Sequence, residues 1–161
     1  AYAFAVAGDD ARAESLAAEL AKQNPANTLI NGYDLPAIRA TIEIGRNNPA
    51  KAIDLLQIAE QYDLANGRGM RTTYQRAHAF LALHKSSEAA AEFQKIVDHP
   101  GVVVNAITGA LAKLGLARAY ALQGDQAKAR VAYQDFFALW KDADSKIPIL
   151  IQAKSEYAKL Q

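Results

Sequence analysis

The sequence predicts an all-α protein: an array of antiparallel helix pairs, about four repeats with the first truncated, closed by a C-terminal capping helix. Three observations predict it. The first is a phrase that returns four times: a helix-ending residue, a helix-starting residue, an alanine, and a fourth core position one turn beyond the alanine. It reads Gly8-Asp9 with Ala13 and Ala17, Asn47-Asn48 with Ala52 and Leu56, His84-Lys85 with Ala89 and Phe93, and Gly124-Asp125 with Ala129 and Tyr133. Successive phrases start 39, 37 and 40 residues apart, inside the period of roughly 20–50 residues that marks stacked repeats. The second is composition: with 9 Gly and 5 Pro among 161 residues and abundant alanine, little interrupts helix formation. The third is that the breakers fall between the segments of helical periodicity.

Taken in order, each repeat reads as helix A, a tight turn, then helix B. Repeat one spans 1–26: only the last turns of its helix A are present, to Ala7, and helix B runs from Asp10 to Gln23. Asn24-Pro25 ends it, because the residue before proline is pushed out of helical geometry. Repeat two spans 27–66, with helix A from Leu29 or Asp34 to Arg46 and helix B from Pro49 to Tyr62. Asn48 is the expected N-cap, and Pro49 at the first helical position loses no hydrogen bond. Repeat three spans 67–103, with helix A over Gly69–Leu83 and helix B over Ser86–Val97, stopped at His99-Pro100-Gly101. Repeat four spans 104–145, with helix A over Ala106–Gln123 and helix B from Gln126 to Lys141, capped by Asp125. The capping helix occupies 146–161, from Pro148 to Leu160. The whole chain, 1–161, is expected to form one domain.

Gly8, Gly124 and Asn47 suit a left-handed helix end, and His84 is among the few other residues enriched there. The recurrent Ala13, Ala52, Ala89 and Ala129 imply close helix contact, where a larger side chain overpacks. Phe4, Phe80 and Tyr120 recur on helix A, with Glu43 the exception in repeat two, while Leu56, Phe93 and Tyr133 recur on helix B. Aromatics at helical spacing read as core.

The chain has 18 Lys plus Arg against 17 Asp plus Glu, a formal charge of +1, and no cysteine. That balance argues against nucleic-acid binding through phosphates, which needs a clustered basic face. Absent cysteine excludes disulfides and thiolate metal sites. No segment has the 18 or so apolar residues of a membrane span. The opening Ala1–Ala7 lacks a basic region before its apolar run and reads as the end of a helix, so the sequence is expected to be a piece of a longer or processed protein.

Catalytic signatures are missing. His78, His84 and His99 form no HExxH pair, and there is no Walker or G-x-S-x-G sequence. Neither an enzyme nor a cofactor is expected. His84 and His99 belong to helix ends, Asp9-Asp10 to a helix start, and Asp142 and Asp144 to solvated positions. Arg39 and Arg76 share one register at a usually apolar position. The favoured reading is an ion pair within the array, for example Arg39 with Glu43; the alternative is a pair of guanidinium forks for a carboxylate or phosphate.

The pattern resembles the tetratricopeptide repeat. Repeat four carries it through Leu116, Ala117, Tyr120, Gly124, Ala129, Tyr133 and Phe136, and repeat three through Ala77, Phe80, Ala89, Phe93 and Ile96. Repeat one supplies Gly8, Ala13, Leu20 and Pro25, and repeat two Ala40, Ala52, Leu56 and Ala59. The repeat spacing exceeds the usual 34 or so residues. The resemblance implies a right-handed superhelical array whose helices A line a concave groove. By register that groove would present Tyr2 and Ala5; Asp34, Ala37, Thr41 and Ile44; Arg71, Tyr74, His78 and Leu81; and Leu111, Leu114, Arg118 and Ala121. Tyr2, Asp34, Thr41, Arg71, Tyr74, His78 and Arg118 are the candidate partner-binding residues. The lysine and asparagine clamp of the chaperone-binding members is missing.

A narrower resemblance covers 91–101, 114–125 and 139–150, which are similar to the C-terminal repeats of bacterial eukaryotic-like serine/threonine kinases. It implies a bacterial kinase tail, either cytoplasmic or beyond a membrane anchor, without the kinase motifs themselves. The expected function is a non-catalytic module binding a peptide or partner protein on the concave face, with no insertion into a membrane. The alternative is self-association as a homodimer, or docking within a larger polypeptide, driven by Tyr2, Phe4 and Val6 left bare on the truncated first helix.

Overall fold

The computed structural model describes residues 1–64 and 67–160, and the chain there is all-helical, with ten α-helices and no strand among the described residues. They are α1 (Tyr2–Val6), α2 (Asp10–Gln23), α3 (Leu35–Gly45), α4 (Pro49–Leu56), α5 (Arg71–Ala82), α6 (Ser86–Val97), α7 (Pro100–Val103), α8 (Ile107–Leu122), α9 (Gln126–Leu139) and α10 (Pro148–Ala158). A π-helical turn, Ile30–Asp34, leads into α3, and a 3-10 segment, Gln57–Tyr62, extends α4. The expected repeat boundary at residue 66 and the last residue of the capping segment, 161, lie outside the described residues.

The four tight turns share one backbone solution. Gly8, Asn47, His84 and Gly124 have φ of 79°, 60°, 56° and 80°. The following N–H then bonds back to the carbonyl five residues earlier: Asp9 to Phe4, Asn48 to Glu43, Lys85 to Phe80 and Asp125 to Tyr120, at 2.8–3.0 Å. This closure satisfies carbonyls that a helix end otherwise leaves bare. Its acceptors are the register positions that carry Phe4, Glu43, Phe80 and Tyr120. Asp9 and Asp125 then cap the next helices, accepting from the N–H of Arg12 at 3.2 Å and of Lys128 at 3.1 Å.

Each turn folds its two helices against each other, so α1–α2, α3–α4, α5–α6 and α8–α9 pack as hairpins. Neighbouring hairpins meet through α2–α3, α4–α5 and α6–α8, while α1, α3, α5 and α8 touch in succession. The repeated alanines sit at these junctions: Ala13, Ala52, Ala89 and Ala129 are wholly buried. Leu56, Phe93 and Tyr133 fill the same place on successive B helices and are buried too. The α10 helix closes the far end against α9.

Several local expectations change. Asn48 stands at the start of α4, but its side chain does not cap it; the amide donates to Glu43 Oε2 at 3.0 Å instead. Helix α5 begins two residues later than expected, because Gly69 and Met70 both have positive φ. His99-Pro100-Gly101 ends α6 yet also starts the short α7, with Pro100 at its first position. On α1, Tyr2 and Phe4 are half-buried rather than bare: Arg71 lies 4.4 Å from the Tyr2 ring centre and Arg12 4.9 Å from that of Phe4. Val6, at 64% exposure, is the one of the three that stays open.

Candidate functional site

The A helices bring together four of the seven candidate residues. Tyr2 of α1, Thr41 and Ile44 of α3, and Tyr74, Gln75 and His78 of α5 line one cleft of about 190 Å³. The helical period does this locally: Thr41 and Ile44 lie three apart on α3, and Tyr74 and His78 four apart on α5, so each pair shares a face. The Tyr74 and His78 rings are 4.5 Å apart between centres, and both lean on Phe93 of α6, at 5.9 and 5.5 Å. Burial lowers the His78 imidazole from 6.5 to about 4, with the positive Arg118 adding to the effect, so the ring is neutral at physiological pH. Burial likewise lifts the Tyr74 hydroxyl to about 12.

The polar floor is built by an amide and a hydroxyl. Thr41 Oγ1 donates to the Ala37 carbonyl at 2.9 Å, as threonine does within helices. Gln75 Nε2 donates to the same carbonyl at 2.9 Å and to Thr41 Oγ1 at 2.6 Å, which ties α5 to α3. Gln75 Oε1 is buried and has no hydrogen-bond partner among the described residues.

The three charged candidates flank the cleft and are already paired. The Arg71 guanidinium lies over the Tyr2 ring, 5.6 Å from the Tyr33 ring centre and 3.3 Å from Asp34 Oδ1. Asp34 also receives Arg68 at 2.9 Å. Arg118 makes a two-pronged bond to Glu156 of α10, at 2.9 and 3.1 Å, and Tyr133 donates to the same carboxylate at 2.9 Å. The candidate residues thus form an aromatic cleft flanked by guanidinium groups bound within the chain: Arg118 to Glu156, and Arg68 and Arg71 to the single carboxylate of Asp34. Sequence register found Tyr2, Thr41, Tyr74 and His78. It missed Gln75, one position along α5, and Glu156, 38 residues beyond Arg118; no local signal marks either.

The remaining polar candidates serve structure. Arg76 is 1% exposed and held by Asp63 and Glu92, the latter at 2.8 Å. Arg39 pairs with Glu14 on α2 at 3.4 Å, not with Glu43. Glu43 instead accepts from Lys51 at 2.9 Å. His99 Nδ1 lies 2.7 Å from the Lys95 carbonyl. Asp10 pairs with Arg46 at 2.8 Å, and Asp144 accepts from the Lys146 N–H at 2.9 Å. Among the described residues no group of three or more His, Cys, Asp or Glu side chains gathers as a metal site. No helix there is long and apolar enough to cross a membrane.

A larger cleft of about 640 Å³ lies elsewhere, between α6, α7, α8 and α9; its walls are mostly apolar, with Trp140, Val103 and Ile107 beside Asn105 and Lys113. No protein-family model, curated protein or solved structure matches the chain.

Proposed function

We propose that this chain is a tetratricopeptide-like, non-catalytic binding module, its A helices forming a superhelical inner face that holds a segment of a partner protein. The observation that supports this most is the cleft lined by Tyr2, Thr41, Ile44, Tyr74, Gln75 and His78, assembled from three successive hairpins. A cleft built across repeats suits an extended or helical segment that runs across them. Rigid aromatic walls are good anchors, because tyrosine offers large contact area at low entropic cost. Pairing of Arg71 and Arg118 within the chain favours a segment recognised by apolar and hydrogen-bonding groups over an acidic one.

The test is selection of peptides from a random library on the whole protein, followed by calorimetry with the best binder. Tyr74→Ala and Thr41→Arg should each weaken that binder at least about tenfold at a temperature where circular dichroism shows the variant fully folded. A binder indifferent to both variants would place recognition off this face and end the reading.

A further inference from the structure

We infer that the cleft between α6, α7, α8 and α9 is a second binding site, for an aliphatic carboxylate of medium chain length: its alkyl tail in the apolar recess, its carboxylate on Lys113. The cleft shares no lining residue with the one on the A helices. Register explains why this gap stands open. In the gap between α2 and α4, Arg39 reaches Glu14 and Lys51 reaches Glu43. At the next gap, Arg76 bridges Asp63, beyond α4, to Glu92 of α6. Leu116 of α8 holds the register of Arg39 and Arg76, so an isobutyl group stands where the bridging guanidinium stood. Between α6 and α9 the gap keeps two adjoining clefts, which meet at Val97 and Lys113.

The larger of the two carries the apolar surface. Val104, Ile107 and Leu139 line it and remain exposed, at 75%, 62% and 58%. Val104 has φ 53° and ψ −117°, and the Ala106 N–H closes onto the Val103 carbonyl at 3.0 Å. That is the first central position of a type II′ turn, which glycine fills without strain and a β-branched residue does not. With its side chain largely in solvent, Val104 gains little packing within the chain in return. An apolar ligand at the mouth of the cleft supplies the missing contact.

The lining also sets the charge. The volume of about 640 Å³ falls within the roughly 300–1,000 Å³ of small-molecule sites. Lys113 is the one ionisable side chain in the lining, and α8 begins there with no acid in its first turn, so the field favours an anion. A peptide strand would bring backbone N–H and C=O groups that these aliphatic walls cannot match; an alkyl chain brings none. Asp135, the present partner of Lys113, lies 3.4 Å away, is 56% exposed and stands outside this lining. So loose and screened a pair yields to a ligand carboxylate. From Lys113 to Ile107, α8 runs about 9 Å, the extended length of octanoate.

Trp140 is the only tryptophan of the chain and lines the cleft, so its fluorescence reports occupancy. The whole protein is titrated with octanoate, octanol and octylammonium, below their aggregation concentrations, with amide shifts read by NMR. Octanoate should change Trp140 emission to saturation and shift Gly109, Ala110 and Lys113. It should bind about fivefold more tightly than octanol, with octylammonium the weakest. Asp135→Asn releases Lys113 and should tighten octanoate severalfold while leaving octanol unchanged; Lys113→Met should abolish the preference for octanoate. Val104→Gly should weaken octanoate about threefold without lowering the melting temperature. Octanoate and octanol binding equally to the wild-type protein, or an emission change that never saturates, overturns the inference without any variant. So do shifts centred on Tyr74 and His78. An amphipathic helix that saturates the Trp140 response where octanoate does not would make this a protein-docking groove, and overturns it too.

Discussion

The ring of Phe93 on α6 occupies the space where a side chain on Gly115 of α8 would begin: a Cβ there would overlap three of the ring carbons. Glycine inside a helix costs roughly 0.5–1 kcal/mol relative to alanine, so its presence in the middle of α8 needs a reason, and the ring is that reason. Phe93 is fully buried and bears on Tyr74 and His78, so Gly115 backs the Tyr74 and His78 wall of the cleft through it. Gly115→Ala should therefore destabilise the protein by about 1–3 kcal/mol despite the better helix propensity. Urea unfolding reads this, and a stabilised variant would show that α6 and α8 have slack.

Arg76 and Asp63 are each 1% exposed and bonded to one another. Thr72 donates to Asp63 at 3.1 Å and Lys95 at 2.8 Å, while Glu92 takes the other side of the guanidinium. Burial alone would raise the Asp63 carboxyl, but the hydrogen bonds from Arg76 and Lys95 outweigh it and hold it below the ordinary 3.8. Arg76→Met leaves the buried carboxylate only Lys95 and Thr72 and should cost about 2–4 kcal/mol at pH 7, somewhat less than a wholly unpaired charge. The sign with pH is distinctive. In the wild type the lowered carboxyl stabilises the fold above its ordinary value, and this is lost as pH falls through its folded value. In the variant Asp63 is easier to protonate, so the stability gap between the two should narrow on going from pH 7 to pH 4. A constant gap would mean that Asp63 remains ionised without Arg76.

The parts of this fold that were legible in the sequence are those set by the backbone within a few residues. Gly8, Asn47, His84 and Gly124 have positive φ as their residue types suggest, and the alanines that follow are buried where the register puts them. The helix pairs follow from those turns. The candidate cleft was half legible, because Tyr74 and His78 share a face by helical period alone. What stayed hidden depends on residues far apart in the chain. Gly115 reads as a poor helix residue until Phe93 is placed against it. Arg118 reads as an open cation until Glu156 arrives from α10. Gln75 reads as a solvated amide until α3 supplies the Ala37 carbonyl and Thr41. Pairing distance, not residue chemistry, set the limit.

Glu43 and Lys51 show one slot filled by two chemistries. In repeat one Arg12 lies over Phe4, and in repeat four Lys128 lies 5.6 Å from the Tyr120 ring centre. Lys51 holds the same register, directly before the buried alanine, but meets a carboxylate in place of a ring. Lys51, with Asn48 and then Arg46 assisting, holds the Glu43 carboxyl below its ordinary 4.5. Glu43 is buried whereas the Lys51 side chain is 64% exposed, so solvent screening keeps the pair modest. Lys51→Met should cost about 1 kcal/mol in the wild type and nearly nothing beside Glu43→Leu, because the second change removes the charge that needed a partner. Equal costs in both backgrounds would show that Asn48 and Arg46 suffice.

His78 gives the cleft a pH response of known sign. Its ring is desolvated against Tyr74 and Phe93 and faces the positive Arg118, and these lower it from 6.5 to about 4. Between those values the unfolded chain binds a proton that the folded one refuses. Stability is then fully present above pH 6.5 and falls as the pH drops toward 4, by on the order of 3 kcal/mol. His78→Phe keeps the ring contacts and removes the proton site, so its stability should decline less than the wild type's between pH 7 and pH 4.5. Parallel decline in urea unfolding would show that His78 takes up its proton in the folded state as readily as in the unfolded one. The imidazole Cε1 proton supplies an independent reading, with no titration expected in NMR until the pH falls below about 5. Above that, the cleft carries no titrating imidazolium and Tyr74 keeps its hydroxyl proton. A ligand held there by ring contacts and one hydrogen bond should accordingly bind with the same affinity from pH 6 to pH 8, whereas one held by ionised groups would not.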